Sequence, residues 1–221
     1  RQERRMLMKK GCILCLLISV ISLPLIAQNI IYSNLKELLT QHGDTTAVLR
    51  VEKRSRNQIV LTGGADYRIT AGDDESMCRR LKKRCFAVRD EKGNLYLNCR
   101  KLRYKKLRFG AWYAPAVQLG KNIYFCAMPL GSVIGGNFVE EDDVKLGGNI
   151  GDALAASSLV TKRVCYKLNG ETGKVDFLGK DRMLQLLKNY PELKQAYLKD
   201  DSQEAKHTFK YLLELQNKQK K

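Results

Sequence analysis

The chain reads as an α+β protein: a mostly antiparallel, β-rich body with a helical C-terminal segment. Three observations predict this. Short β-favouring runs broken by Gly, Asn and Asp turns fill residues 46–178, and amphipathic runs of helical spacing fill 180–217. No strand–helix alternation of the doubly wound kind and no internal repeat interrupts that order.

The N-terminal stretch stands apart. Met8-Lys9-Lys10 is followed by an apolar run, Gly11–Ile26, and by the small residue Ala27 before Gln28. Charged start, apolar middle and small residue at the cut make the layout of a secretory signal peptide. The apolar run has 16 residues, fewer than the roughly 20 that a spanning helix needs, and Pro24 lies near its end. Cleavage after Ala27 is expected, with an uncleaved anchor as the alternative. Cys15 lacks the small preceding residue of a lipidated cysteine. Arg1–Arg5 precede the two candidate starts, Met6 and Met8, and are left out of the fold. The expected product is a single domain, 28–221, exported to the periplasm or outer envelope or secreted, with no spanning segment after cleavage.

The elements follow in order. Ser33–Leu39 predicts a short capped helix ended by Gly43. Val48, Val51, Ile59, Val60 and Leu61 lie in β-favouring runs broken by Arg54–Asn57 and Gly63-Gly64, and Tyr67–Thr70 is a further strand before the Gly72-Asp73-Asp74 turn. Glu75–Arg84 switches to helical spacing, with Met77, Cys78, Leu81 and Cys85 on one face. Three hairpins are then expected. Phe86–Val88 pairs with Leu95–Leu97, Val117 and Leu119 with Ile123 and Phe125, and Val164–Leu168 with Val175–Leu178 across Asn169-Gly170. Three helices close the chain: one around Met183–Leu187, one opened by Pro191, and one capped by Ser202. They carry too little apolar surface to stand alone and are expected to dock on the sheet.

With residues 1–27 removed, five cysteines remain: Cys78, Cys85, Cys99, Cys126 and Cys165. An odd number cannot pair completely, no C-x-x-C survives, and His42 and His207 lie far apart. The expectation is therefore small, buried, hydrophobic cysteines rather than a disulfide framework, with no structural metal site and no cofactor.

Charge is unevenly spread. The 28–221 portion carries 35 basic and 22 acidic residues, a net +13, and residues 79–108 alone carry thirteen basic against two acidic, a net +11. Aromatic residues interleave. Cations neutralise anionic groups and rings pack on sugars, so the pattern suits a polyanion. In an exported protein the available polyanions are anionic lipid headgroups, acidic glycans and lipopolysaccharide phosphates rather than nucleic acid. The candidate contact residues are Arg100, Lys101, Arg103, Lys105, Lys106 and Arg108, with Tyr104 and Trp112 as packing partners. The plainer alternative is a solvated basic face whose aromatics belong to the core.

Catalytic patterns are nearly absent. A Cys–His nucleophile would need Cys126 or Cys165 beside His42 or His207, and Asp142-Asp143 is an acidic run of the kind that is usually solvated. Gly131–Gly135 and Gly147–Gly151 have small-xxx-small spacing, which predicts a small helix packed on the sheet. Tyr32–Leu38, Leu61–Ile69, Arg108–Pro115 and Gly148–Ser157 together resemble an uncharacterised family of exported proteins from Gram-negative gut bacteria. The resemblance implies export and one architecture, and assigns no catalytic residue. The reading is an exported, envelope-associated, non-catalytic protein that binds anionic polymers or membrane surfaces. A hydrolase acting on an envelope polymer is the alternative.

Overall fold

A computed structural model describes residues 28–46, 48–55, 57–59, 64–105, 107–128, 163–200 and 205–220. The first strand, β1 (Asn29–Tyr32), leads into α1 (Leu35–Thr40). Helix α1 starts where Asn34 accepts a hydrogen bond from the Glu37 amide at 2.9 Å and Glu37 reaches back to the Ser33 amide at 2.7 Å, a reciprocal cap. It ends with Gln41, not Gly43, in the left-handed region at φ 56°. Gly43 serves a different purpose: a Cβ there would lie 2.6 Å from the Ile31 carbonyl, so only glycine lets β2 (Asp44–Thr46) turn back against β1.

Strands β3 (Arg50–Lys53) and β4 (Tyr67–Thr70) follow, then α2 (Glu75–Lys83), capped where Asp74 accepts from the Met77 amide at 2.9 Å. Strands β5 (Ala87–Arg89) and β6 (Leu95–Asn98) form the first expected hairpin, with Val88 opposite Tyr96. A 3-10 turn (Cys99–Lys101) and a two-stranded hairpin, β7 (Arg103–Tyr104) with β8 (Leu107–Arg108), precede β9 (Tyr113–Leu119) and β10 (Asn122–Ala127). Strands β11 (Val164–Leu168) and β12 (Val175–Phe177) form the last hairpin, followed by α3 (Lys180–Leu186), α4 (Pro191–Lys199) and α5 (Ala205–Gln219).

The fold is α+β. One antiparallel sheet runs in the order β12-β11-β10-β9-β6-β5-β1-β2, and β4, paired to β3, joins it through Tyr67 opposite Tyr113. Alternating side chains send Leu97, Ala114, Ala116, Phe125 and Tyr166 to one face, where Leu38 of α1 and Leu102, Tyr104 and Phe109 of the 99–109 segment cover them. Phe109, Phe125 and Tyr166 contact one another there, with ring centroids 4.7–5.6 Å apart. The opposite face is covered in two places. Helix α2 packs Leu81 on Val88, Tyr96 and Tyr113. Helices α3 to α5 lay Met183, Leu193, Tyr211, Leu212 and Leu215 on Val117, Leu119, Tyr124, Cys126 and Cys165.

Three details differ from the sequence reading. The sheet begins at Asn29, well before residue 46, with β1 between β5 and β2. Residues 57–59 form a helical turn instead of a strand. The Ser55 hydroxyl accepts from the Gln58 amide at 3.2 Å while the Gln58 side chain accepts from the Ser55 amide at 2.9 Å. This capping box competes with extended structure. Finally, Cys126 and Cys165, directly opposite on β10 and β11, form a disulfide. Their side chains fill the layer under α5 as small apolar groups would, but adjacency across a strand pair also brings the two sulfurs together. Cys85 and Cys99 are buried free thiols, as expected, and Cys78 is half-buried. Burial pushes the Cys85 thiol up to about 11. The small-xxx-small segments, Asp142-Asp143 and Ser202 lie outside the described residues, as do residues 1–27.

The Tyr166 hydroxyl is buried and has no hydrogen-bond partner among the described residues, a cost of roughly 1–3 kcal/mol. Tyr166→Phe keeps the ring contacts and deletes the orphan group. It should raise stability by about 1 kcal/mol in urea or thermal unfolding. A loss of that size would show that the hydroxyl has a partner in solution.

Candidate functional site

The segment between β6 and β9 alternates. Leu102, Tyr104 and Phe109 turn into the core, and Arg100, Lys101, Arg103, Lys105 and Arg108 turn out to solvent. Alternation over residues 101–105 turns Lys101, Arg103 and Lys105 outwards between Leu102 and Tyr104, while Arg100 in the 3-10 turn and Arg108 before Phe109 add two more exposed cations. Lys105 sits at φ 53°, the left-handed position of the tight β7–β8 hairpin. Among the described residues no carboxylate pairs with any of the five. Lys106 lies outside the described residues.

The rest of the basic window belongs elsewhere. Arg79, Arg80, Lys82, Lys83 and Arg84 lie in or just after the C-terminal half of α2, where cations complement the helix dipole. Arg80 is also tied to Asp44, and Arg89 donates to the Gly93 carbonyl at 3.3 Å. The two groups meet at buried Asn98. Its amide donates to the Leu81 and Cys85 carbonyls at 3.2 and 2.9 Å, and its carbonyl oxygen accepts from the Arg100 amide at 3.1 Å.

The two aromatics expected beside the cations are placed differently. Tyr104 is 5% exposed, with its ring in the core 5.5 Å from that of Tyr166 and the Lys105 ammonium 5.6 Å from its centre. Trp112 belongs to a second cluster. Its ring carries Arg54 at 5.3 Å and Arg68 at 5.7 Å. It is held at φ 83°, a left-handed conformation that costs a bulky residue on the order of 1–3 kcal/mol.

This second cluster is built by two loops that touch. The Ala65 amide donates to the Ala111 carbonyl at 3.2 Å. Gly64, at φ 84°, comes so close that a Cβ would lie 2.3 Å from the same oxygen, so no other residue fits. Arg54, 8% exposed, donates to the Ala65 carbonyl at 2.7 Å and the Gln58 carbonyl at 3.0 Å. Asp66 lies 2.5 Å from the Arg163 guanidinium. The ion pair joins Arg163 Nη2 to Asp66 Oδ1, and among the described residues neither that buried oxygen nor buried Arg163 Nε has a well-directed hydrogen-bond partner. Burial lowers the Arg54 value and raises the Asp66 value. For Asp66 the nearby Arg163, Lys53 and Arg54 oppose the rise.

Sequence reading placed Arg54 in a break between strands and did not single out Asp66, Arg68 or Arg163. The available signal was the pair of glycine-containing segments, 61–69 and 108–115, each with an arginine and one with the only tryptophan of the sequence. Their convergence is tertiary and leaves no local periodicity. Among the described residues no group of three or more His, Cys, Asp or Glu side chains could hold a metal ion, and no helix is long and apolar enough to cross a membrane. The disulfide occupies both thiols that a Cys126 or Cys165 nucleophile would require.

The raised Asp66 value has a consequence for stability. Folding takes up a proton at Asp66 in the window just above the ordinary value of 3.8. The stability contributed by the protonated form is therefore present at low pH and declines as pH climbs through that window. Asp66→Asn cannot titrate. The melting temperature of the wild type relative to this variant should fall as pH rises from about 4 towards neutrality. A difference that stays flat, or moves in favour of the wild type, would contradict the burial argument.

No curated protein and no solved structure matches the chain. A family described as of unknown function, DUF6563, matches residues 30–219, almost the whole of the described fold. The chain belongs to that family of unknown function.

Proposed function

We propose that the protein is exported and acts without catalysis, holding an anionic polymer or membrane surface of the cell envelope through its basic hairpin. One observation carries this reading: five cations, Arg100, Lys101, Arg103, Lys105 and Arg108, stand exposed on one short segment with no carboxylate partner among the described residues. Like charges clustered on one short segment sum their fields and attract a polyanion without a shaped pocket. The core underneath tethers that segment, because Tyr104 and Phe109 are buried between the cations. Export is supported by the leader-like residues 8–27, by the resemblance to exported proteins of Gram-negative gut bacteria, and by the Cys126–Cys165 disulfide, which belongs in an oxidising compartment.

Phosphate and carboxylate groups reach such a surface from two sources, lipid headgroups and acidic glycans. Retention on anionic liposomes and on a heparin-like resin separates them. The full chain should be retained on at least one at low salt and released as salt rises, because exposed charges are screened over about 10 Å at 0.1 M. A variant with the five cations changed to Gln should lose that retention. Equal retention of variant and wild type would remove the site, and retention indifferent to salt would remove the electrostatic mechanism.

A further inference from the structure

The cations of α2 and those of the hairpin lie on opposite faces of the sheet, yet they meet at one end of it. Helix α2 packs Leu81 on the face that holds Val88 and Tyr96, and the 99–109 segment covers the face that holds Leu97 and Phe125. Asn98, the last residue of β6, joins the two. Its side-chain amide donates to the Leu81 and Cys85 carbonyls, and its side-chain oxygen accepts from the Arg100 amide. One side chain therefore separates the last turn of α2 from the 3-10 turn that opens the basic segment.

Charge is sorted along the β5–β6 hairpin. Asp90 and Glu91, the two acidic residues of the 79–108 window, follow β5 at the end where Arg89 pairs with Leu95. Asn98 lies beyond the other end, where Ala87 pairs with Leu97. Arg79, Lys82, Lys83 and Arg84 are exposed there, and among the described residues no carboxylate pairs with them. Arg80 is half-buried and tied to Asp44, so it stands outside this group.

Helix stability does not call for all four. The carbonyls at the end of α2 already have neutral donors. The Leu81 carbonyl accepts from the Tyr113 hydroxyl at 2.7 Å as well as from Asn98, and the Arg80 carbonyl accepts from the Arg84 and Cys85 amides. One cation would complement the helix dipole. Arg79 precedes Lys82 and Lys83 by three and four residues, spacings at which like charges repel. A bound polyanion relieves that repulsion.

We propose that Arg79, Lys82, Lys83 and Arg84 continue the hairpin surface round the end of the sheet, and that the combined track holds a linear anionic polysaccharide, not a bilayer. Resting on the anion-binding role proposed for the hairpin, this track adds a second segment and selects one ligand class. A bilayer is flat and meets the cations of one sheet face at a time. A polymer that bends round the Asn98 end contacts both groups together. Arg79 to Arg84 advances about 8 Å along the helix, and Lys101 to Lys105 advances up to about 13 Å where extended. A chain of several acidic sugar units repeats its charge over such lengths, and one sugar unit does not.

The full-length protein is titrated with a heparin disaccharide, long heparin chains and phosphatidylglycerol vesicles at several salt concentrations. Wild type is compared with the five-Gln hairpin variant and with a variant carrying Arg79, Lys82, Lys83 and Arg84 changed to Gln. Gln is a good helix former, and the thermal transition checks that each variant is folded. Lys82→Gln with Lys83→Gln is the milder form and should act in the same direction. Wild type should bind long chains tighter than the disaccharide by about tenfold or more. The α2 variant should bind long chains about tenfold more weakly than wild type, with a shallower salt dependence because fewer counterions are displaced. Vesicle binding should fall in at most one of the two variants. Unchanged heparin affinity in the folded α2 variant, beside a loss in the hairpin variant, would overturn the track and leave the hairpin's role standing. No heparin binding by wild type, or no loss in either variant, would remove both. Equal affinity for disaccharide and long chains, or vesicle binding that both variants weaken as much as heparin binding, would overturn the polysaccharide assignment.

Discussion

Strand β9 is the constraint on which the rest of the molecule depends. Tyr113–Leu119 hydrogen-bonds to β10 along one edge, to β6 along the other and to β4 at its first residue. Tyr113, Ala114, Ala116, Val117 and Leu119 are all buried, so both faces are packed. The two small residues, Ala114 and Ala116, face the aromatic layer and leave room for Phe109, Phe125 and Tyr166. Val117 and Leu119 face the C-terminal helices. The Tyr113 hydroxyl, driven well above its ordinary range by burial, donates to the Leu81 carbonyl at 2.7 Å and so ties α2 to the same strand. Helix α5 is attached in the same way, where Gln216 donates to the Gln118 carbonyl at 3.0 Å.

Both cationic clusters adjoin this strand. The basic hairpin feeds directly into it, and Trp112 is the residue before its first. A rigid attachment matters because charge–charge recognition gains from pre-organised groups and loses when flexible side chains must be ordered. The two clusters use opposite designs. On the hairpin, charges stay in water and cost the fold little. Around Trp112, Arg54 is buried against backbone carbonyls, Asp66 is pushed towards its neutral form, and the backbone is strained. Costs of that kind persist where the surrounding structure over-determines them, here through the Gly64–Ala111 crossing.

Much of the fold is legible in local sequence. The hairpins at 86–97, 117–125 and 164–177, the helix after Asp74 and the helix opened by Pro191 all rest on alternation, turn residues and caps, which are short-range signals. What escaped reading has physical causes. β1 is four residues just ahead of a helix, too short for a periodicity to show. Ile59 and the Val60 that follows it in sequence favour strand, but Ser55 and Gln58 satisfy each other's backbone amides and set a helical turn at 57–59. The Cys126–Cys165 bond depends on register, because each cysteine is one of several buried apolar groups until the two strands are aligned. The cluster around Trp112 joins residues from 54 to 163, and no local pattern reports contacts across such separations. The basic window was visible as composition. Its division between α2 and the hairpin, and the inward turn of Tyr104, follow from which residues the core needs.

The central claim is that β9 is the rigid member on which the rest of the sheet and the segments beside it depend. Native-state hydrogen exchange, resolved by residue, tests it. The amides of Ala114, Ala116 and Val117 should exchange only through global unfolding, while those of Arg103–Lys105 and Leu107–Arg108 open locally and much sooner. Exchange of the β9 amides as fast as that of the hairpin would contradict the account.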